Sequence, residues 1–264
     1  MIRALLSGAL LLFSLSAVGV ESGDDLTAYR EASSKFAALV AGAELGKKQQ
    51  QLQTKEVSLL ISLLSDEKRF LRSQPYAVKD LGNLLELCGM ANKAVMSLAL
   101  FDLKAHVDPK GDPKTVAGQV VVLMQKNSET FGPQLRHLHP FLIKCMAKEV
   151  PPMTEFTVSL TPEQFTEVRR KGLEQARTGL VELFVGVLQS VGNPNYDERY
   201  RAALVQALAE SAPSLASALP ISARRQIRSI ADAAGKSSPP IFGTYLETIR
   251  RTLDDTTCKG LCAL

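Results

Sequence analysis

Between Leu173 and Val191 the apolar residues Leu173, Ala176, Leu180, Phe184, Val187 and Val191 recur at steps of three or four. That spacing sets them on one stripe of an α-helix, whereas a strand would scatter them over both faces. Nothing in the chain alternates apolar and polar with period two over a useful length. The chain therefore reads as all-α, an irregular bundle of eight to ten helices around one long central helix. Thr161-Pro162-Glu163-Gln164 is the strongest local start signal. Thr is the N-cap, Pro sits at the first helical position, and Gln closes a capping box. A helix from Pro162 to Val191 would be about 45 Å long, with Gly172 and Gly179 as places to bend. From Leu180 on it is apolar nearly all round, which predicts the buried centre of the bundle.

Other helices follow the same logic. Asp24 and Asp25 open one whose stripe is Leu26, Tyr29, Ala32, Phe36, Leu39 and Val40. The polar run from Gly46 to Thr54 reads as a linker or a solvated first turn. Val57 to Leu64 is strongly apolar. Pro75 ends what precedes it, and a helix with Val78, Leu81, Leu84, Leu85 and Cys88 on one face follows. Ala94 to Leu103 gives another. His106 to Thr115 is the clearest loop. Val116 to Met124 contains three successive valines, yet its length and register favour helix over strand. Pro140 opens a helix carrying Phe141, Leu142, Cys145 and Met146. Tyr196 to Glu210, Ser222 to Ala234 and Pro240 to Leu253 complete the set, with Ser222 as an N-cap and Gly235 as a stop.

The N-terminus has the three parts of a secretory signal. Arg3 gives a positive start, Leu5 to Leu15 an apolar run, and Ala17 and Gly19 the small residues a signal peptidase reads. The segmentation is then residues 1–19 as signal peptide, 20–55 as N-terminal helix and polar linker, and 56–264 as helical domain. The competing reading is an uncleaved anchor, but Ala4 to Val20 falls short of the roughly 20 apolar residues a span requires. The protein is expected to be exported, periplasmic in a bacterium and otherwise secreted.

Four cysteines in an exported chain point to disulfides, with three connectivities open. Cys88 and Cys145 both follow apolar stripes and are expected to meet in the core. Cys258 and Cys262 are expected to bridge locally. Cys258-Lys-Gly-Leu-Cys262 has one residue too many for a redox Cys-x-x-Cys motif.

Motifs with chemistry are few. His106, His137 and His139 are candidate metal ligands, but residues two apart on a helix point about 200° from each other. An extended His-Leu-His before Pro140 would turn both rings one way; a solvating or capping loop pair explains them equally. Arg224, Arg225 and Arg228 offer an anion or partner contact, against the plain alternative of a solvated helix face. No Gly-x-Ser-x-Gly elbow and no phosphate-cradling glycine loop is present. Net charge is +4, and +3 without Arg3, too little for nucleic-acid binding. Absence of Trp argues against a carbohydrate platform.

These features favour an exported, non-enzymatic interaction or scaffold protein of the cell envelope. No cofactor is expected, and membrane contact comes only through the signal during export. The partner would be another envelope protein or an apolar small molecule. The alternatives are a carrier holding an apolar ligand between helices and a hydrolase with scattered catalytic residues. Mass spectrometry of the exported product should give a chain starting at Val20; a full-length mass in washed membranes would overturn the cleavage.

Overall fold

Two helices that run in the same direction carry the middle of the molecule: α7 (Gly132–Ser159) and α9 (Glu198–Ser217). The computed structural model describes residues 23–264; the segment expected to be a signal peptide and its expected cleavage position lie outside them. Leu204, Val205, Leu208, Ala212 and Leu215 of α9 are fully buried, as are Ile143 and Cys145 of α7. Their direction shows in the side chains that join them. Lys144 Nζ bridges Glu210 at 2.8 Å and Glu67 at 3.0 Å, and one turn on Ser214 donates to the carbonyl of Ala147 at 2.6 Å.

The remaining elements, in chain order, are α1 (Gly23–Gly46), α2 (Lys55–Leu64), α3 (Glu67–Phe70), α4 (Leu81–Ala99), α5 (Leu103–His106), α6 (Pro113–Thr130), α8 (Glu167–Gly192), α10 (Ile221–Lys236) and α11 (Gly243–Leu253). The described residues contain helices and no strand, so the chain is an all-α bundle. Helix α4 lies on α7, and α1 lies on α4 and α2. Helices α8 and α11 pack on α9 on the other side, and α10 packs on α8 and α11. Tyr29 of α1 is fully buried between Phe70 and Phe141, with ring centroids 4.8 and 5.8 Å away. Its hydroxyl donates to the carbonyl of Leu64 at 3.1 Å, which satisfies a polar group that burial would otherwise penalise. The polar run after α1 is not a free linker. It forms a 3₁₀ turn, Gln49–Gln53, whose Leu52 is buried in the main core.

Further features depart from the sequence expectation, beginning with Ala94, which lies within α4 and starts no helix of its own. The Thr161–Gln164 box does form, with Gln164 Oε1 accepting from the Thr161 amide at 3.1 Å. It closes an isolated turn, and the helix starts later, at Glu167, with Thr166 as its cap. Pro140 does not open a helix; α7 runs straight through Pro140, Pro151 and Pro152. A proline removes one ladder bond, but packing of α7 against both α4 and α9 outweighs that local cost. Helices α7 and α9 accordingly carry the most buried residues. Helix α8 buries a single face through Leu180, Phe184, Val187, Leu188 and Val191. Finally, α10 begins at Ile221, with Pro220 rather than Ser222 at the cap position, and passes through Gly235.

The sulfurs of Cys88 and Cys145 lie at disulfide distance, joining α4 to α7 across 57 residues, and those of Cys258 and Cys262 do so across four. Chain-entropy arguments assign about 4 kcal/mol to the long loop and about 2 kcal/mol to the short one. Replacing Cys88 and Cys145 together by Ala should therefore lower the unfolding free energy about twice as much as replacing Cys258 and Cys262 by Ser. Urea titrations of the two double variants read this directly, and equal losses would contradict it.

Candidate functional site

Three chain ends converge at the C-terminal pole of the bundle. Helix α9 stops after Ser217, α10 starts at Ile221, and the chain leaving α11 returns as the segment Asp254–Leu264. Arg224, in the first turn of α10, is the residue that joins them. It sits on the buried stripe of α10 with Ile227, Ala231 and Ala234, and only 1% of it is exposed. Its Nε donates to the Leu219 carbonyl at 3.0 Å, and its Nη2 to the carbonyls of Thr257 at 2.8 Å and Ser217 at 3.4 Å. Its Nη1 donates to the carbonyl of Asp255. Among the described residues no carboxylate forms an ion pair with it. Burial lowers its pKa from the ordinary arginine value, and the charge of Asp255 opposes that. Nη2 also lies 3.6 Å from Cys262 Sγ.

This geometry reassigns the arginines of the sequence reading. Arg224 spends its donors on backbone carbonyls instead of an external anion. Arg228 pairs with Asp254 at 2.7 Å. Arg225 points to solvent. The three do not converge on one ligand. An open groove of about 340 Å³ remains beside Arg224, lined also by Ser217, Arg251, Thr252 and Asp255. A second groove of about 210 Å³ lies between α1 and α4, lined by Ser33, Ser34, Phe36, Lys93 and Ser97. It is smaller than the ~300 Å³ at which small-molecule sites begin, so it does not favour the carrier.

The histidines do not converge either. His106 ends α5, with Nδ1 3.0 Å from the Asp102 carbonyl and its other nitrogen 3.4 Å from Lys126 Nζ. His137 and His139 are both helical, because α7 continues through Pro140, so they face apart. His137 is exposed, while His139 Nδ1 shares a 2.7 Å hydrogen bond with the Tyr200 hydroxyl. Among the described residues no group of three or more His, Cys, Asp or Glu is placed to hold a metal ion.

Two buried charged groups escaped the sequence reading. Arg201 of α9 is 4% exposed and donates from Nε to the Val191 carbonyl at 2.8 Å and from Nη2 to that of Ser237 at 3.2 Å. It thereby closes the ends of α8 and α10 as Arg224 closes those of α9 and the tail. Glu149 of α7 is 6% exposed, one turn from Cys145 and one from Met153, both core residues. In each case the available signal was a charge lying on an apolar stripe. Such a residue is buried with its helix unless its side chain can reach water.

The class these features define is an all-helical bundle crosslinked at disulfide distance in two places, with its helix C-termini closed by buried arginines. No protein-family model, curated protein or solved structure matches the chain.

Glu149 and His139 make the stability pH-dependent with opposite signs. Burial pushes the Glu149 carboxyl up to about 8 from 4.5, and the His139 ring down to about 4 from 6.5. For Glu149 the unfolded chain releases its proton first as pH rises, so stability is full below 4.5 and drains away toward 8. By pH 7 the loss reaches about 3 kcal/mol. For His139 the unfolded chain takes up its proton first as pH falls, so stability is full above 6.5 and drains away toward 4. Urea unfolding from pH 4.5 to 8 should show Glu149→Gln gaining on the parent steadily with pH, by about 3 kcal/mol at pH 7. A constant difference across that range would show that Glu149 is ionised in the folded protein.

Proposed function

We propose that this chain is an exported, non-enzymatic protein of the cell envelope that works by binding another protein through the outer face of α6. The N-terminal signal pattern supports export, as do two cysteine pairs at disulfide distance, since such bonds persist in oxidising compartments. No helix among the described residues is long and apolar enough to cross a membrane.

The observation that carries the reading is the run Val120-Val121-Val122. Asp112 caps α6, accepting from the amides of Lys114 and Thr115, and Asn127 ties the far end to the carbonyls of Ala99 and Phe101. Between these anchors Val120 and Leu123 turn inward to a small core with Val107, set apart from the main one. Val121 and Val122 turn outward, 63% and 68% exposed. A β-branched residue loses side-chain freedom in a helix, a cost that packing can offset. Two in succession, exposed on the face opposite a buried one, make α6 apolar on both sides. A helix of that kind is suited to lie between its own bundle and a second protein.

The test is site-specific photo-crosslinking in the exporting cell. A photoreactive residue at Val121 should give a discrete adduct that one at exposed Gln226 of α10 does not. Val121→Asp with Val122→Asp should abolish partner capture while leaving the melting temperature within a few degrees of the parent. Identical adducts from both positions, or capture that survives the double substitution, would refute the assignment.

A further inference from the structure

The two sulfurs of the C-terminal pair have unlike surroundings. Cys262 is 4% exposed, with the Arg224 guanidinium 3.6 Å from its Sγ. Cys258 is half-buried and follows the exposed run Asp254–Thr257. Attack on a disulfide is fastest where the struck sulfur is reachable and the departing sulfur is stabilised as thiolate. Here one sulfur meets the first requirement and the other meets the second.

We propose that Cys258–Cys262 is a thiol–disulfide exchange site, entered at Cys258, with Cys262 as the leaving group under Arg224. An external thiolate attacks Cys258 Sγ and forms a mixed disulfide. The Cys258–Cys262 bond breaks, and its electron pair stays on Cys262 Sγ beside the guanidinium. A cation at that distance favours thiolate over thiol and so speeds departure. Cys262 either returns the pair to Cys258, expelling the thiol, or a second thiol resolves the mixed disulfide. In the second course two thiols become one disulfide and the protein gains two thiols. The reductant is a thiol throughout.

The fold keeps this step local. Leu261 is fully buried, and Arg177 Nη1 donates to the carbonyls of Leu261 and Leu264 at 3.4 and 2.6 Å. Gly260 adopts φ +59°, and a Cβ there would lie 2.6 Å from Thr154 Cγ2, so the turn is seated against α7. The Arg224 bonds to the carbonyls of Asp255 and Thr257 do not run through the sulfur bridge. The tail thus stays in place with both sulfurs adjacent, ready to close again. Cys88 and Cys145 are 2% and 0% exposed, and no thiol reaches them without unfolding.

The test treats the native oxidised protein with reduced glutathione, quenches with acid, alkylates and maps the peptides. Glutathione is expected on Cys258, with the Cys262 thiol trapped by the alkylating agent. Opening of this pair should be at least tenfold faster than that of Cys88–Cys145. In Cys258→Ser, thiolate absorbance of Cys262 should titrate below the ordinary thiol value of about 8.5. In Arg224→Gln combined with Cys258→Ser it should move upward. Should that double variant fail to fold, the single-variant titration decides alone. Glutathione on Cys262, joint opening of both pairs only on unfolding, or a Cys262 titration at or above about 8.5 would overturn the proposal.

Discussion

Helix C-termini leave carbonyl groups without partners, and in this bundle buried guanidinium groups supply the missing donors. Arg224 gathers carbonyls from the end of α9 and from the chain after α11, and Arg201 gathers those at the ends of α8 and α10. Each therefore holds two termini with one side chain. A helix C-terminus carries partial negative charge, so a cation there is stabilised without a carboxylate. The planar fork matters as much as the charge, because several carbonyls lie in different directions and a lysine ammonium offers a single point. The close approach these clamps enforce is visible at Gly192, where a Cβ would come within 3.0 Å of Ala234 Cα. Without the two guanidinium groups the carbonyls they join, at the ends of α8, α9 and α10 and in the chain after α11, would lose these donors.

The two cysteine pairs sit in opposite settings and suit opposite roles. Cys88 and Cys145 lie deep between α4 and α7 and close a long loop, so their bond restrains the unfolded chain and is shielded once folding is complete. Cys258 and Cys262 close a very short loop at the edge, where hydrogen bonds and Leu261 already hold the tail. The tail bridge restrains the unfolded chain about half as much as the long loop does, and the folded tail keeps its other contacts when the bridge opens. The cation beside Cys262 Sγ is the same Arg224 that organises the pole, so the stability of that pole and the reactivity of its sulfur have one source.

Helix α7 combines strength and tension. It passes through three prolines, carries Glu149 into an apolar setting and holds His139 against Tyr200. Burial keeps both ionisable groups neutral near neutral pH. Their effects on stability oppose each other between the unfolded values of 4.5 and 6.5, and the fold is most secure there. A carboxyl with this cost on a core helix is retained against the tendency of cores to exclude charge.

Helix content, the all-α class and the tendency of the cysteines to pair were legible in the sequence, because apolar spacing and residue chemistry act locally. The stripe of Leu180, Phe184, Val187 and Val191 does face the core. Helix boundaries were less legible. The Thr161 box forms its local bonds yet starts no helix, and Pro140 breaks none, since packing on two sides decides what a single residue only biases. The fates of Arg224, Arg201, Glu149 and His139 belonged wholly to the tertiary structure. A charged residue on an amphipathic helix carries no local sign of whether it meets water or a neighbour's carbonyls. Only the meeting of distant chain ends, Ser217 with Thr257 and Val191 with Ser237, creates the partners that make burial of the two arginines tolerable.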